Sequence, residues 1–213
     1  MLVKIPSIAN IGLESVPVDV EVDVASTGFP GFTIVGLASK AVEEARERVK
    51  TAIVNSKLQF PAKKIIVNLA PADLPKDGAA YDLPIALGVL LGSEQIRLPD
   101  GFDLTKSFFY GELSLDGTLR PTKGILLLGL YAQKKHGAVI FVPEPSAAEA
   151  GVVDGVKVIP VKTLSQLMEH LLGIKTIEVL KIPIRNDSFE QYPVEFDLTE
   201  IAGQEQAKRA LII

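Results

Sequence analysis

Residues 76–80 read Lys-Asp-Gly-Ala-Ala, a polar turn within the stretch NLAPADLPKDGAAYDLPIALGVLLG at 68–92. Loops of this kind, leading into a buried helix, can carry a nucleophile, and serine beside a base is the natural choice. The small residues that follow Gly78 are Ala79 and Ala80, and an alanine has no atom to attack with. The stretch is a catalytic loop, the relic of one, or only a turn.

Few other residues have the types and spacing for chemistry. At 18–24 the chain reads V-D-V-E-V-D-V, which sets Asp19, Glu21 and Asp23 on one face of a strand. A cation site is one reading. Such sites draw ligands from several segments, so a solvated face is the plainer one. No G-x-x-x-x-G-K-[ST] or G-x-G-x-x-G occurs, and a chain without a phosphate loop is not expected to hydrolyse ATP on its own. The G-x-S-x-G elbow and the H-E-x-x-H zinc helix are absent too. There is no cysteine, and the two histidines, His136 and His170, lie in no motif that suggests a triad.

The 213 residues carry 22 Lys+Arg against 26 Asp+Glu, a formal net charge of −4. No global basic field favours nucleic acid, which leaves room only for a local patch. The composition, 47% hydrophobic and 23% charged, is that of an ordinary globular protein of one sizeable domain, or one domain plus a fragment. The start MLVKIPSIAN lacks a signal-peptide core, and the longest apolar runs, such as ILLLGL at 125–130, are too short to span a bilayer. The expectation is a cytoplasmic protein with no membrane partner.

The elements around the loop can be read from periodicity and punctuation. GFPGF at 28–32 is a turn, and TIVG at 33–36 a short strand. Ala41, Val42, Ala45, Val49, Ala52 and Ile53 recur at helical spacing. Ser39 is placed as the N-cap, with Glu43 and Glu44 near the positive end of the dipole. Arg46, Arg48 and Lys50 alternate with glutamates on the outer face, which reads as solubility. KKIIVNLAP at 63–71 predicts a buried strand. AYDLPIALGVLLG predicts a helix, with Pro84 in the first turn and Gly92 closing the far end. Asp116-Gly117 between β-like runs predicts a hairpin. GILLLGLYAQKKHG predicts a helix ended by Gly137, with Lys134, Lys135 and His136 in its last turn.

Next, AVIFVP, PSAAEAG, VKVIP and TLSQLMEHLLG alternate strand and helix, and Thr163 with Gln166 forms a capping box. Strand–helix–strand order implies a parallel crossover, whereas the alternating strand and the hairpin imply antiparallel pairing. The fold class is therefore α/β (α+β), a mixed sheet with helices. From 174 the texture changes to mixed charge and proline without helical period, and a new helix begins at about Gln204.

Three blocks, FTIVGL, VNLAPADLPKDGAAYDLPIAL and GELSLDGTLRP, resemble the N-terminal domain of the magnesium-chelatase-like AAA+ ATPases, the ComM (YifB) family of competence proteins. The resemblance runs essentially from residue 1 to residue 213. The tail FDLTEIAGQEQAKRAL is similar to the opening of that family's ATPase module, in which a Walker A loop follows. The resemblance implies a Lon-protease-like N-terminal domain at 1–173, a linker or extended arm at 174–196, and the start of a truncated AAA+ module at 197–213.

In the Lon proteolytic domain, which the family's N-terminal domain resembles in fold, the loop is Lys-Asp-Gly-Pro-Ser-Ala-Gly and the serine is the nucleophile. Aligned on residues 76–78, the serine position falls on Ala80. Counting along from GELSLDGTLRP, the partner-lysine position falls on Leu126. A leucine cannot take a proton, Lys123 stands three residues off on a different helix face, and Ser93, Ser107 and Ser114 lie outside the loop. The resemblance thus implies a Lon-like fold without the catalytic dyad, and no catalytic residue.

It further implies a non-catalytic domain of a hexameric, ATP-driven DNA-processing motor, acting in branch migration during natural transformation and recombination. DNA and further copies of the chain are the implied partners. ATP and Mg2+ are the implied cofactors of the full-length protein, with none held by this chain. Ile201, Gly203 and Gln204 match the segment beside the adenine in AAA+ modules. Lys57, Lys63 and Lys64 either contact phosphates or are exposed lysines flanking a strand. Lys76, Asp77 and Gly78 shape the loop or, for the two charged residues, pair across subunits, and Asp82 is placed as a helix N-cap. Two other functions stay open: a peptidase with a displaced Ser/Lys dyad, and a metal-chelatase motor subunit. Ala207, Leu211 and Ile212 are expected to be loose without a motor to pack against.

Overall fold

The alternating strand is one part of a longer one. β1 (Leu2–Ile11) and β2 (Glu14–Val24) pair antiparallel along their whole length. β3 (Gly31–Val35) runs parallel to β4 (Lys64–Ala70), which pairs antiparallel with β2, giving a four-stranded mixed sheet of order β1-β2-β4-β3. The structure, a computed structural model, describes residues 1–37, 39–76, 78–181 and 198–212. They divide between two units, Met1–Ile182 and Pro183–Ile213.

Val18, Val20, Val22 and Val24 are buried on one face of the first sheet. On the other face Glu21 stands opposite Lys4 and Asn68, pairing with Lys4 Nζ at 2.7 Å and accepting from Asn68 Nδ2 at 2.9 Å. The acidic row is therefore part of a cross-strand polar ladder. Among the described residues no group of three or more His, Cys, Asp or Glu is arranged to hold a metal.

Between β3 and β4 the helical spacing is realised as α1 (Lys40–Glu43) and α2 (Ala45–Asn55), broken at Glu44. Ser39 has the extended backbone of an N-cap, but its hydroxyl makes no cap bond. Lys57 follows α2 in the left-handed region (φ 62), where Leu58 N–H reaches Ile53 O at 3.1 Å and Lys57 N–H reaches Val54 O at 3.0 Å. That is a Schellman closure.

α3 (Asp82–Gly92) is buried at every position, which is why its sequence is apolar all round. It lies on β1 and β2 and against α2. Two glycines make the approach close. A Cβ on Gly88 would overlap the Val22 side chain, and one on Gly92 would come within 2.9 Å of Val24 Cγ2. Gly92 accordingly does not close the helix. Ser93 is the C-cap and Glu94 (φ 62) is the left-handed residue, with Gln95 N–H bonded to Leu90 O at 3.1 Å.

The C-terminal half builds a second, wholly parallel sheet from β5 (Ser107–Phe109), β8 (Val139–Pro143) and β9 (Lys157–Val161), in the order β5-β8-β9. The hairpin of β6 (Glu112–Leu113) and β7 (Leu119–Arg120) turns at Asp116-Gly117, with Gly117 at φ 85. Parallel and antiparallel pairing are thus divided between sheets, with β3–β4 the parallel pair inside the mixed one.

The second sheet is covered on both faces. Ile140 and Val142 pack with α4 (Ile125–Gln133) and α5 (Glu144–Gly151), while Phe141 points the other way to α6 (Leu164–Leu171) and stacks on Phe109 at 4.6 Å. Thr163 Oγ1 accepts from Gln166 N–H at 3.1 Å, and Gln166 Oε1 accepts from Lys162 N–H at 2.8 Å, so the box closes one residue further out than its simplest form. Lys134, Lys135 and His136 lie just beyond α4 rather than in its last turn.

After α6, Ile177 N–H donates to His170 Nδ1 at 2.9 Å and Leu180 N–H to Val158 O at 2.8 Å. Residues 182–197, which take in the rest of the 174–196 stretch read as a linker and the first residue of the expected AAA+ start, lie outside the described residues. In the second unit α7 (Glu205–Ile212) starts where Gln204 O accepts from Lys208 N–H at 3.0 Å, and Leu211 is 75% exposed. No helix among the described residues is long and apolar enough to cross a membrane.

The seat of α3 gives a first test. Gly88→Ala removes a helix-weakening glycine, worth about 1 kcal/mol. It forces a methyl into stiff, β-branched Val22, which costs about 1–3 kcal/mol. Chemical denaturation should show a net loss of stability, and Val22→Ala in the same chain should make the added methyl cheaper.

Candidate functional site

The loop that opened the question is held at both ends by buried charge. Lys76 is fully buried, and its ammonium donates to the Pro71 carbonyl. Its backbone ties the loop to the turn after β3, through Lys76 N–H to Leu37 O at 3.4 Å and Ser39 N–H to Lys76 O at 3.1 Å. Burial lowers the Lys76 pKa, opposed by Asp73. Gly78 sits at φ 83, where a side chain would be strained. Asp77 lies outside the described residues.

At the far end Asp82 does not cap α3; Tyr81 is the N-cap and the carboxylate turns inward. Asp82 Oδ2 accepts from Arg48 Nε at 2.8 Å and Oδ1 from Arg48 Nη2 at 3.1 Å, and Leu113 N–H adds a bond of 3.2 Å to Oδ2. The group is wholly buried. Burial pushes its pKa up to about 6 from an ordinary 3.8, against the lowering pull of Arg48 and of the Leu113 N–H. Arg48, read from sequence as a solubility residue, is therefore the clamp that joins α2 to α3 and β6.

Between the anchors the loop forms one wall of a hollow of about 320 Å³, shared with Tyr110, Glu112 and residues 121–123. Gly111 N–H donates to Ala80 O at 2.8 Å and Leu83 N–H to Gly111 O at 3.0 Å, fixing loop against hairpin. Ala80 is 4% exposed. Leu126 is 40% exposed on α4 and does not line the hollow, whereas Lys123, which precedes the helix, does. The hydroxyl of Thr122 donates to Arg120 O at 3.0 Å and accepts from Glu112 N–H at 3.3 Å. The Tyr110 hydroxyl takes Asn10 Nδ2 at 3.4 Å, and burial raises its pKa. Gly124 (φ 86) opens α4, and any Cβ there would strike the Asn10 amide.

Of the lysines singled out for phosphate contact, all three are exposed, but the structure gives them different settings. Lys63 borders a hollow of about 610 Å³ with Arg46, Lys50, Glu47, Phe32 and Phe60. Lys57 and Lys64 do not line it. The rings of Phe32 and Phe60 are 5.6 Å apart, and Phe29 in the adjoining turn is 93% exposed. The sequence signal that could have found this hollow is the i, i+4 pair Arg46 and Lys50 on one face of α2. Ile201, Gly203 and Gln204 form an exposed turn before α7, with Gly203 at φ 71 and Gln204 at φ 58.

Comparison with known proteins agrees with this architecture. A family described as subunit ChlI of Mg-chelatase matches residues 20–146. The chain is 40% identical over 211 residues to competence protein ComM of Haemophilus influenzae, covering 96% of this chain and 40% of that protein. It is 40% identical over 207 residues to YifB of Escherichia coli, covering 96% and 39%. Lon protease 2 of Bacillus subtilis is 26% identical over 154 residues, 68% of this chain and 27% of its own length. The chain belongs to the magnesium-chelatase-like ChlI family. It spans about two fifths of the length of the ComM and YifB relatives it matches.

The clamp gives a second test. Because the folded-state pKa of Asp82 is raised, the folded protein holds that proton more tightly than the unfolded chain does. The stability this group contributes is therefore full below the ordinary value of 3.8 and is lost as pH rises through about 6. Arg48→Met removes the opposing cation and should cost about 3–5 kcal/mol at pH 8. Denaturant titrations should show the gap between variant and parent narrowing on acidification, as Asp82 takes up its proton.

Proposed function

We propose that this chain is a non-catalytic domain of a ring-forming AAA+ motor that processes DNA, in the manner of a branch-migration helicase, and that it guides a DNA strand beside the motor. The observation that carries the reading is the hollow of Arg46, Lys50 and Lys63, where cations stand beside Phe32 and Phe60 and next to exposed Phe29. Cations that track a backbone and rings on which bases stack are the two needs of strand binding. The name and identity of the ComM relative support it further.

Absence of peptidase chemistry belongs to the same reading. The resemblance places the nucleophile at Ala80; in that hollow the hydroxyl of Thr122 is committed to backbone partners and that of Tyr110 accepts from Asn10 Nδ2. Among the described residues no hydrogen bond joins a serine hydroxyl to a lysine amine. ATP and Mg2+ belong to the motor, with Ile201, Gly203 and Gln204 at the edge of its adenine site. Further copies of the chain, six in the ring of the proposed motor, complete the assembly.

Fluorescence anisotropy with single-stranded, duplex and four-way-junction DNA across a salt series tests this. Salt-sensitive binding is expected, and Lys50→Glu with Lys63→Glu should weaken it about tenfold or more at low salt. Phe29→Ser should weaken single strands more than duplex. Absence of binding at low salt would remove DNA guidance from this chain, and turnover of a fluorogenic peptide would overturn its non-catalytic character.

A further inference from the structure

A second hollow, of about 520 Å³, opens where the outer face of the first sheet meets the end of α4. Its size is that of a small-molecule site, about 300–1,000 Å³. Lysines reach it from separate segments: Lys4 from β1, Lys106 from the turn before β5, and Lys134 and Lys135 from the end of α4, with His136 beside them. Lys4 is paired with Glu21 at 2.7 Å. Among the described residues no salt bridge holds Lys106, Lys134 or Lys135; the charge of Lys106 acts on nearby Asp103, outside the lining.

Helix-end electrostatics would account for Lys134 and Lys135 alone, since cations suit a helix C-terminus. It does not account for Lys106, which comes from another element and converges on the same space. Lysines without a salt bridge that converge on one concavity repel one another, and an anion would relieve that repulsion. Apart from Ser7, Thr105 and Asp19, the rest of the wall is apolar. Phe108 and Tyr131 meet edge to face at 5.6 Å, with Pro6 and Pro17 nearby, and Lys135 Nζ lies 6.0 Å over the Tyr131 ring. The single acid of the lining is Asp19. It stands on β2 directly opposite Pro6 of β1, on the sheet side of the space.

We infer that this hollow is a binding site for a phosphate monoester of mononucleotide size. Lys106, Lys134 and Lys135 hold the phosphate, the Phe108–Tyr131 wall packs against the planar ring, and Asp19 accepts from a sugar hydroxyl. The site is separate from the strand-guiding hollow of Arg46, Lys50 and Lys63, and from the loop at 76–80. It stands whether or not the chain guides DNA.

The test is isothermal titration of the 213-residue chain with AMP, adenosine and inorganic phosphate at low salt. AMP should bind saturably and lose affinity as salt is added, because exposed lysines are screened. Adenosine should bind about tenfold or more weakly, since it lacks the charge-assisted contacts. Lys106→Glu with Lys135→Glu should reduce AMP affinity about tenfold or more. Both side chains are exposed, so the thermal midpoint of the variant should stay near that of the parent and show that the fold survives. Lys50→Glu with Lys63→Glu should leave AMP binding unchanged. No saturable AMP binding, or equal affinity in parent and Lys106→Glu/Lys135→Glu chain, overturns the site. Binding of inorganic phosphate as tight as AMP overturns the mononucleotide assignment.

Discussion

The Asp82 carboxylate, fully buried and ringed by Arg48 and the Leu113 N–H, is the interaction on which the arrangement depends. Neither ion is well placed alone. A buried carboxylate without its cation is strongly penalised, and the guanidinium fork matches its two oxygens in a way no lysine could. Because the partners stand 34 residues apart and the N–H a further 31, one contact registers α2, α3 and β6 together. The 76–80 loop enters α3 directly above it, so the loop's position follows from the clamp.

That dependence fixes the backbone of the loop independently of what its side chains can do. The turn still leads into the buried helix, and the hairpin still backs it, through Gly111 N–H to Ala80 O. Ala80 contributes a methyl group to the cluster of Ile8, Tyr110, Ile125 and Leu128. Architecture and reactivity are separable, and only the side chains at the site report reactivity. The same holds for charge. A chain with a formal charge of −4 presents two distinct hollows in which basic side chains outnumber acidic ones, each with a single acid in its lining, Glu47 or Asp19.

Local features were legible in the sequence. The period-2 alternation at 18–24, the Asp-Gly hairpin and the Thr163–Gln166 box each depend on neighbours a few residues away, and each is present. The mixed α/β class was legible as well. What escaped is what depends on distant partners. Gly92 reads as a helix terminator, and only the approach of Val24 reveals it as a packing residue, leaving Glu94 to take the left-handed turn. Asp82 reads as an N-cap because its acceptor, at a helix start, has an obvious local use, and nothing nearby announces Arg48. Lys123 reads from sequence as a residue of the helix, on a different face from Leu126. α4 begins at Ile125, so Lys123 is free to face the hollow. The division of pairing between two sheets was likewise hidden, since strand order is set by tertiary packing and not by any single strand.

Lys76 has a consequence of a different kind. It is the only fully buried lysine among the described residues, sealed under its own loop with its amine on Pro71 O. Every other lysine of the described residues has some access to solvent. Acylating reagents and trypsin act on lysines they can reach, so in the folded protein they spare this one. A label or a cut at Lys76 therefore marks molecules in which the loop has opened. The chain carries, in the loop that leads into α3, a built-in chemical reporter of its own breathing.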